Sequence, residues 1–196
     1  LRGALWYMVL QWIDRFARAR PLAFAVVFGA AKNTAADLII QNQVEGRKMH
    51  DVDWQRVGVF ASFGMCYVGA AQYFLFNRLL PALPWIGRGL VHGDPRAAVK
   101  AVAFDQLVHM PCFYFPSFYI FREFGCGDRS IQNAIRDWKS SLGPDMLLQA
   151  SIFVPVQIVN FRYLPLRYRV PWVTTAGFFY VMALSATRGD IEKKIS

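Results

Sequence analysis

Asp105, His109 and Cys112 stand at i, i+4 and i+7. On a helix that spacing brings a carboxylate, an imidazole and a thiol to one face. Three such groups could hold a metal ion, and the first two alone could act as an acid–base pair. The set stops short of either. His50 and His92 fall in loops and offer no fourth ligand, and the chain has no G-x-S-x-G elbow, no P-loop and no G-x-G-x-x-G fingerprint. A hydrogen bond accepted by Asp105 from His109 or Lys100 is the simpler reading. No catalytic residue, metal or cofactor is expected.

The remaining polar groups of the apolar stretches fall into three sets. Asn33, Asp37 and Gln41 form one ladder, Lys100, Asp105, Gln106 and His109 a second, and Gln157, Asn160 and Arg162 a third. An ionisable group at membrane depth costs on the order of 3 kcal/mol, so it faces the bundle interior and finds a partner. The three faces are expected to meet there. They either line a water-filled path or join helices by hydrogen bonds of roughly 0.6–2 kcal/mol each. Each ladder covers only part of its stretch, which favours the second use.

The stretches that carry these groups repeat one pattern. Ala25, Gly29, Asn33, Asp37 and Gln41 lie four apart, as do Gly58, Ser62, Cys66 and Ala70, and again Ala97, Ala101, Asp105 and His109. Each is a narrow small or polar stripe on an apolar cylinder, the way membrane helices approach one another. Span candidates are residues 22–44, Val57 to Asn77, 98–121 (with Pro111 and Pro116 as kink points), 146–161 and Val170 to Thr187. Residues 81–96 and 122–145 read as connections rich in Gly and Pro, the second with a short helix from Ser130 to Ser141. Residues 4–18 read as an amphipathic helix, with Leu5, Val9, Trp12 and Phe16 on one face and Gln11, Asp14, Arg15 and Arg18 on the other, suited to the headgroup plane.

Composition agrees. The 196 residues are 55% hydrophobic and 18% charged, against about a quarter charged in soluble domains. The net charge of +9 fits two partners, nucleic acid or anionic lipid. Of 22 Lys and Arg, all but Lys32 lie outside the apolar stretches or at their ends. That distribution points to lipid headgroups rather than to nucleic acid. Cys66, Cys112 and Cys126 form no C-x-x-C pair and read as small buried apolar residues. The sequence opens on Leu1 rather than Met, so no targeting segment is read from it.

Four blocks in order resemble one family. They are Trp6 with Pro21 and Ala36-Asp37-Leu38-Ile39-Ile40-Gln41; Lys100, Asp105, Gln106 and Pro111; Pro155, Gln157, Asn160, Phe161, Pro165 and Arg169; and Leu184-Ser185. The chain thereby resembles the Mpv-seventeen family, also named after the 22-kDa peroxisomal membrane protein. It departs from the family pattern at Ala70, Leu75 and Phe76 in the second stretch, at Val154, and at Tyr180, Val181 and Ala183 in the last. These changes make the two stretches more apolar. The resemblance implies a non-enzymatic helical protein of the mitochondrial inner membrane or the peroxisomal membrane, linked to small-solute pores or membrane integrity.

The expected protein is all-α. It is one integral membrane domain over residues 1–196, with an amphipathic helix at 1–20, a bundle of four to five spans over 22–187 and a tail at 188–196. Its expected role is that of an accessory subunit of the mitochondrial inner membrane, with anionic lipids and other membrane subunits as partners. A pore for small solutes, or placement in the peroxisomal membrane, is the alternative.

Overall fold

The computed structural model describes residues 2–179, and every regular element among them is a helix. Helix α1 (Arg2–Ala19) is followed at once by α2 (Pro21–Val44). Then come α3 (Trp54–Ala82), α4 (residues 95–126), α5 (Ile131–Tyr163) and α6 (residues 166–179). Local chemistry sets the starts. Pro21 and Pro95 open α2 and α4, where their missing N–H is no loss. Asp53, Asp94 and Ser130 cap α3, α4 and α5 by accepting from the backbone N–H of Arg56, Arg96 and Asn133.

Helices α2, α3 and α5 are long and apolar enough to cross a membrane. Helix α4 is long but is not among them, since it carries Lys100, Asp105, Gln106 and His109 along its first half. The last expected span begins in α6, and its part beyond residue 179 lies outside the described residues, as does the tail.

The bundle is turned inside out relative to a soluble protein. Leu107 is 73% exposed, Leu147 77% and Val27 58%, while Asp105, Gln157 and Asn160 are 0% exposed. In water that distribution would cost on both counts; in hydrocarbon it is the stable arrangement.

Two expectations are corrected. Residues 122–145 are not a loop with a short helix. Helix α4 runs to Cys126, and α5 continues unbroken from Ile131 through Gly143 and Pro144 to Tyr163. Helix α4 braces α5 before and close after that proline: Arg122 Nη2 donates to Asp137 Oδ2 at 2.9 Å, and the Tyr119 hydroxyl to Asp145 Oδ2 at 2.7 Å. The stripe Gly58, Ser62, Cys66 and Ala70 is not the buried face of α3; Gly58 and Cys66 are exposed. From Gly64 to Ala71 the helix widens to a π pattern. Its i→i+5 bonds shift the side chains around the axis, so the inward glycines are Gly64 and Gly69, five apart.

Candidate functional site

Three buried polar constructions hold the bundle. The first lies on α2 and the start of α3. Asp37 sits one helical turn before Gln41, and both face inward. Gln41 Nε2 donates to Asp37 Oδ2 at 2.8 Å, and Gln41 Oε1 accepts from the Asp53 amide at 2.8 Å. Arg56 completes the group. Its Nε donates to Asp37 Oδ1 at 2.8 Å and its Nη1 to Glu45 Oε1 at 2.5 Å. Asn33, a turn further along, donates to the Phe60 carbonyl at 3.2 Å. Beyond Asn33 the contact is backbone on backbone. A Cβ on Gly29 would strike the Gly64 carbonyl, and one on Gly69 would stand 2.5 Å from Val26 Cα.

The second construction crosses α3, α4 and α5. Asp105 accepts from Gln157 Nε2 at 2.9 Å and from Gln106 Nε2 at 3.0 Å, and its Oδ1 lies 2.8 Å from His109 Nδ1. A carboxylate only accepts, so Nδ1 carries the proton there. In the neutral ring, Nε2 then accepts from the Tyr67 hydroxyl at 3.1 Å. Asn160 Nδ2 donates to Gln157 Oε1 at 2.8 Å and closes the chain. Side chains from three helices thus share one connected network, in which Asp105 has three partners. The local backbone suits it. Pro111 has no N–H to give and crowds the preceding turn, and α4 is π-helical from Asp105 to Tyr114. That widening also turns Cys112 outward to an exposed position, away from Asp105 and His109, so Cys112, like Cys66 on the outer face of α3, is not the buried apolar residue expected. Among the described residues no group of three His, Cys, Asp or Glu is placed to hold a metal ion.

The third is Arg169, the largest fully buried side chain. It donates to three backbone carbonyls: Nη2 to Leu90 at 2.6 Å, Nη1 to Phe76 at 3.3 Å and Nε to Leu164 at 3.4 Å. The Phe76 carbonyl is free for a covalent reason. Leu80 N–H bonds back to Leu75, five residues earlier; the next donor in that register is Pro81, which has none. The guanidinium fills the gap and lies over the Phe161 ring, 5.5 Å from its centroid.

The predicted sets are therefore joined in part. The ladders on α4 and α5 meet at Asp105. The α2 ladder is a separate group, partnered by Arg56 rather than by the other two. Lys100 is not in the Asp105 cluster; it is exposed and donates to the Trp85 carbonyl at 2.8 Å. Five residues from Asp105, it lies well off that face. Arg162 likewise leaves Gln157 and Asn160 and donates to the Gly93 carbonyl, pinning the 83–94 connection to α5. Arg56 and Tyr67 escaped the sequence reading because their partners are 19 and 42 residues away. Arg169 had a signal there, its place in the Pro155–Arg169 block.

Fold and site define an all-helical integral membrane protein whose polar groups are turned inward. The model of the Mpv17 / PMP22 family matches residues 127–185. Protein sym1 of Aspergillus oryzae is 27% identical over 170 residues, covering 83% of this chain and 87% of that protein. Peroxisomal membrane protein 2 of Bos taurus is 24% identical, covering 82% and 77%. Mitochondrial inner membrane protein Mpv17 of Xenopus laevis is 24% identical, covering 88% and 92%. The chain is thus similar over most of its length to proteins of the Mpv17 / PMP22 family. Its relatives are named for the mitochondrial inner membrane and, as the alternative, the peroxisomal membrane. No solved structure matches it.

Proposed function

We propose that this chain is a non-enzymatic protein of the mitochondrial inner membrane, a structural or accessory subunit that packs against a larger membrane complex. It is a single membrane domain of four to five spans, with α4 and α6 completing the set begun by α2, α3 and α5. Helix α1 lies in the headgroup plane, where Trp12, 66% exposed, faces lipid and the chain's positive charge meets anionic headgroups.

The closure of the Asp105 network carries this reading. Asp105 is 0% and His109 4% exposed, and the groups that could move a proton are spent on one another. Such a network joins helices; it does not receive a substrate. The outer face of α3 supplies a surface for a partner. Gly58 and Ser62 are small, and with Val59, Ile120, Phe121 and Phe124 they line an apolar groove of about 600 Å³. Small residues on a lipid-facing helix allow another helix to approach closely. Extraction in a gentle detergent tests the role. An accessory subunit comigrates with a large complex, and Gly58→Leu with Ser62→Leu releases it. Migration of the wild-type chain alone refutes the role.

One observation favours the pore reading. Gln72 Oε1, both polar atoms of Asn77, Gln106 Oε1 and Asn160 Oδ1 are buried and have no partner among the described residues. Unsatisfied groups on α3, α4 and α5 suit a wetted interior. In planar bilayers a pore gives conductance that changes with Asp37→Asn and Asp105→Asn.

A further inference from the structure

The two ends of the bundle differ in charge. One end holds the connection from α2 to α3, the start of α3 and the turn from α4 to α5. Arg56 ties the first two together through Asp37 and Glu45, and Gly125 near the close of α4 packs on Val59 in α3. Residues 45–56 and 122–145 at this end carry seven Asp or Glu and seven Lys or Arg. Many of these charges neutralise one another: Glu45 pairs with Arg47 and Arg56, Asp137 with Arg122.

The other end holds the close of α1, the 83–94 connection and the junction of α5 with α6. Hydrogen bonds tie these together, from Tyr168 to Asp14, from Arg162 to the Gly93 carbonyl, and from Arg169 to the Leu90 and Phe76 carbonyls. Residues 14–20, 78–100 and 162–169 at this end carry ten Lys or Arg and only two Asp. Both aspartates are engaged. Asp14 accepts from Tyr168 and Arg18, and Asp94 caps α4. Arg15, Arg20, Arg78, Arg88 and Arg96 are exposed, and their guanidiniums make no hydrogen bond or ion pair among the described residues.

A one-sided excess of cations calls for an anionic surface, and the neighbouring residues favour lipid over an acidic protein. Arg78 stands beside exposed Leu79, and Arg96 lies one turn from exposed Val99. Charge and bare apolar surface alternate within a turn, as they do where hydrocarbon gives way to headgroups. Trp12, Trp85 and Tyr163 are exposed at the same end, and Trp and Tyr settle at that level of a bilayer.

We infer that this end of the bundle, through Arg15, Arg20, Arg78, Arg88 and Arg96, docks the headgroups of anionic phospholipid in one leaflet. The inference rests on the proposed membrane reading and gives its anionic-lipid contact a side. It does not rest on the accessory role, because lipid contact is measured on the isolated chain.

The test is electron spin resonance of the full chain in phosphatidylcholine nanodiscs that hold spin-labelled phosphatidylglycerol or spin-labelled phosphatidylcholine. The immobilised fraction of each label reports lipid at the protein surface. Wild type should prefer the anionic label at least about threefold, and about 1 M salt should reduce that preference. Replacing all five arginines by Gln should bring the two labels close to equal. Lys48→Gln, Arg129→Gln, Arg136→Gln and Lys139→Gln together, exposed at the opposite end, should leave the preference intact. If the five-residue variant fails to elute as a folded particle, Arg88→Gln with Arg96→Gln decides, and should lower the preference at least about 1.5-fold. Equal uptake of the two labels by wild type, an unchanged preference in the basic-end variant, or the same loss in the opposite-end variant overturns the face. Loss of comigration with a complex while the lipid preference stays intact also overturns it, and assigns the arginines to an acidic protein surface. Wild type that migrates alone yet keeps the arginine-dependent preference refutes the accessory role and supports the face.

Discussion

Helices α2 and α3 are held together differently from α4 and α5. In the first pair Gly29, Gly64 and Gly69 let backbone meet backbone, and side-chain bonding is concentrated toward the Asp37–Arg56 end. In the second, side chains do the joining, through Asp105, Gln157, Asn160 and, on the outer stretch, Tyr119 with Asp145. Both solve one problem. Lipid removes the hydrophobic drive between helices, so close packing or hydrogen bonding must replace it. Close packing tolerates no added atom. A hydrogen-bonded seam tolerates loss of one bond, because its other members keep theirs.

The largest effect should therefore come from the glycine seam. Gly29→Leu places a side chain against the Gly64 carbonyl, with no flexible group to yield, and should cost about 3 kcal/mol or more. The measurement is unfolding by SDS titration in mixed micelles. Gly58→Leu is the control. Nothing lies within 4 Å of an added Cβ at Gly58, so stability should hold or rise slightly with helix propensity. Comparable losses from the two variants would put the seam on the wrong face of α3.

Next comes the Asp105 network. Asp105→Leu removes three hydrogen bonds, and at roughly 0.6 kcal/mol for each in membrane proteins the loss is near 2 kcal/mol. Gln157→Leu removes two, with Asp105 and Asn160, and should cost about two-thirds as much by the same measure. If the smaller deletion cost as much as the larger, the network would act as a single rigid unit and the contrast with the glycine seam would fail.

The Asp37–Arg56 group should respond less, because it lies nearer the helix ends. The Arg56 side chain is 18% exposed and that of Glu45 29%. Arg56→Met leaves Asp37 with Gln41 alone and should cost about 1 kcal/mol. Added salt should narrow the difference between wild type and variant, since exposed charge is screened. Salt should leave Asp105→Leu unaffected.

Much of this was legible from residue spacing. The stripes on α2 and α4 and the Gln157–Asn160 pair lie inward as four-residue periodicity requires. The stripe on α3 misled because periodicity assumes α-helical turns, and the π stretch at Gly64–Ala71 breaks that assumption. Gly143 and Pro144 read as a break because intrinsic propensity is local, whereas the bonds of Asp137 and Asp145 to α4 come from tertiary packing. Arg56 could not be paired with Asp37 from spacing, for no periodicity links residues on separate helices.

The smallest effect belongs to the junction outside the bundle core, where α1 meets the first turn of α6. Asp14 accepts from the Tyr168 hydroxyl and from Arg18 Nε, with Arg167 close by. The Tyr168 bond, then Arg18, hold its carboxyl below the ordinary value of 3.8. A lowered folded-state pKa means the ionised form is the one that favours docking. The contribution is fully present above the ordinary value and is lost as pH falls through the lowered one. Spin labels at Gln11 and Leu166 should keep their separation from neutral pH down to about pH 4 and move apart only below it. Asp14→Asn should abolish that acid step. Separation already at pH 5–7, in wild type and variant alike, would show that α1 is held by lipid rather than by Asp14. The junction would then belong with neither kind of seam, its position set by the bilayer surface.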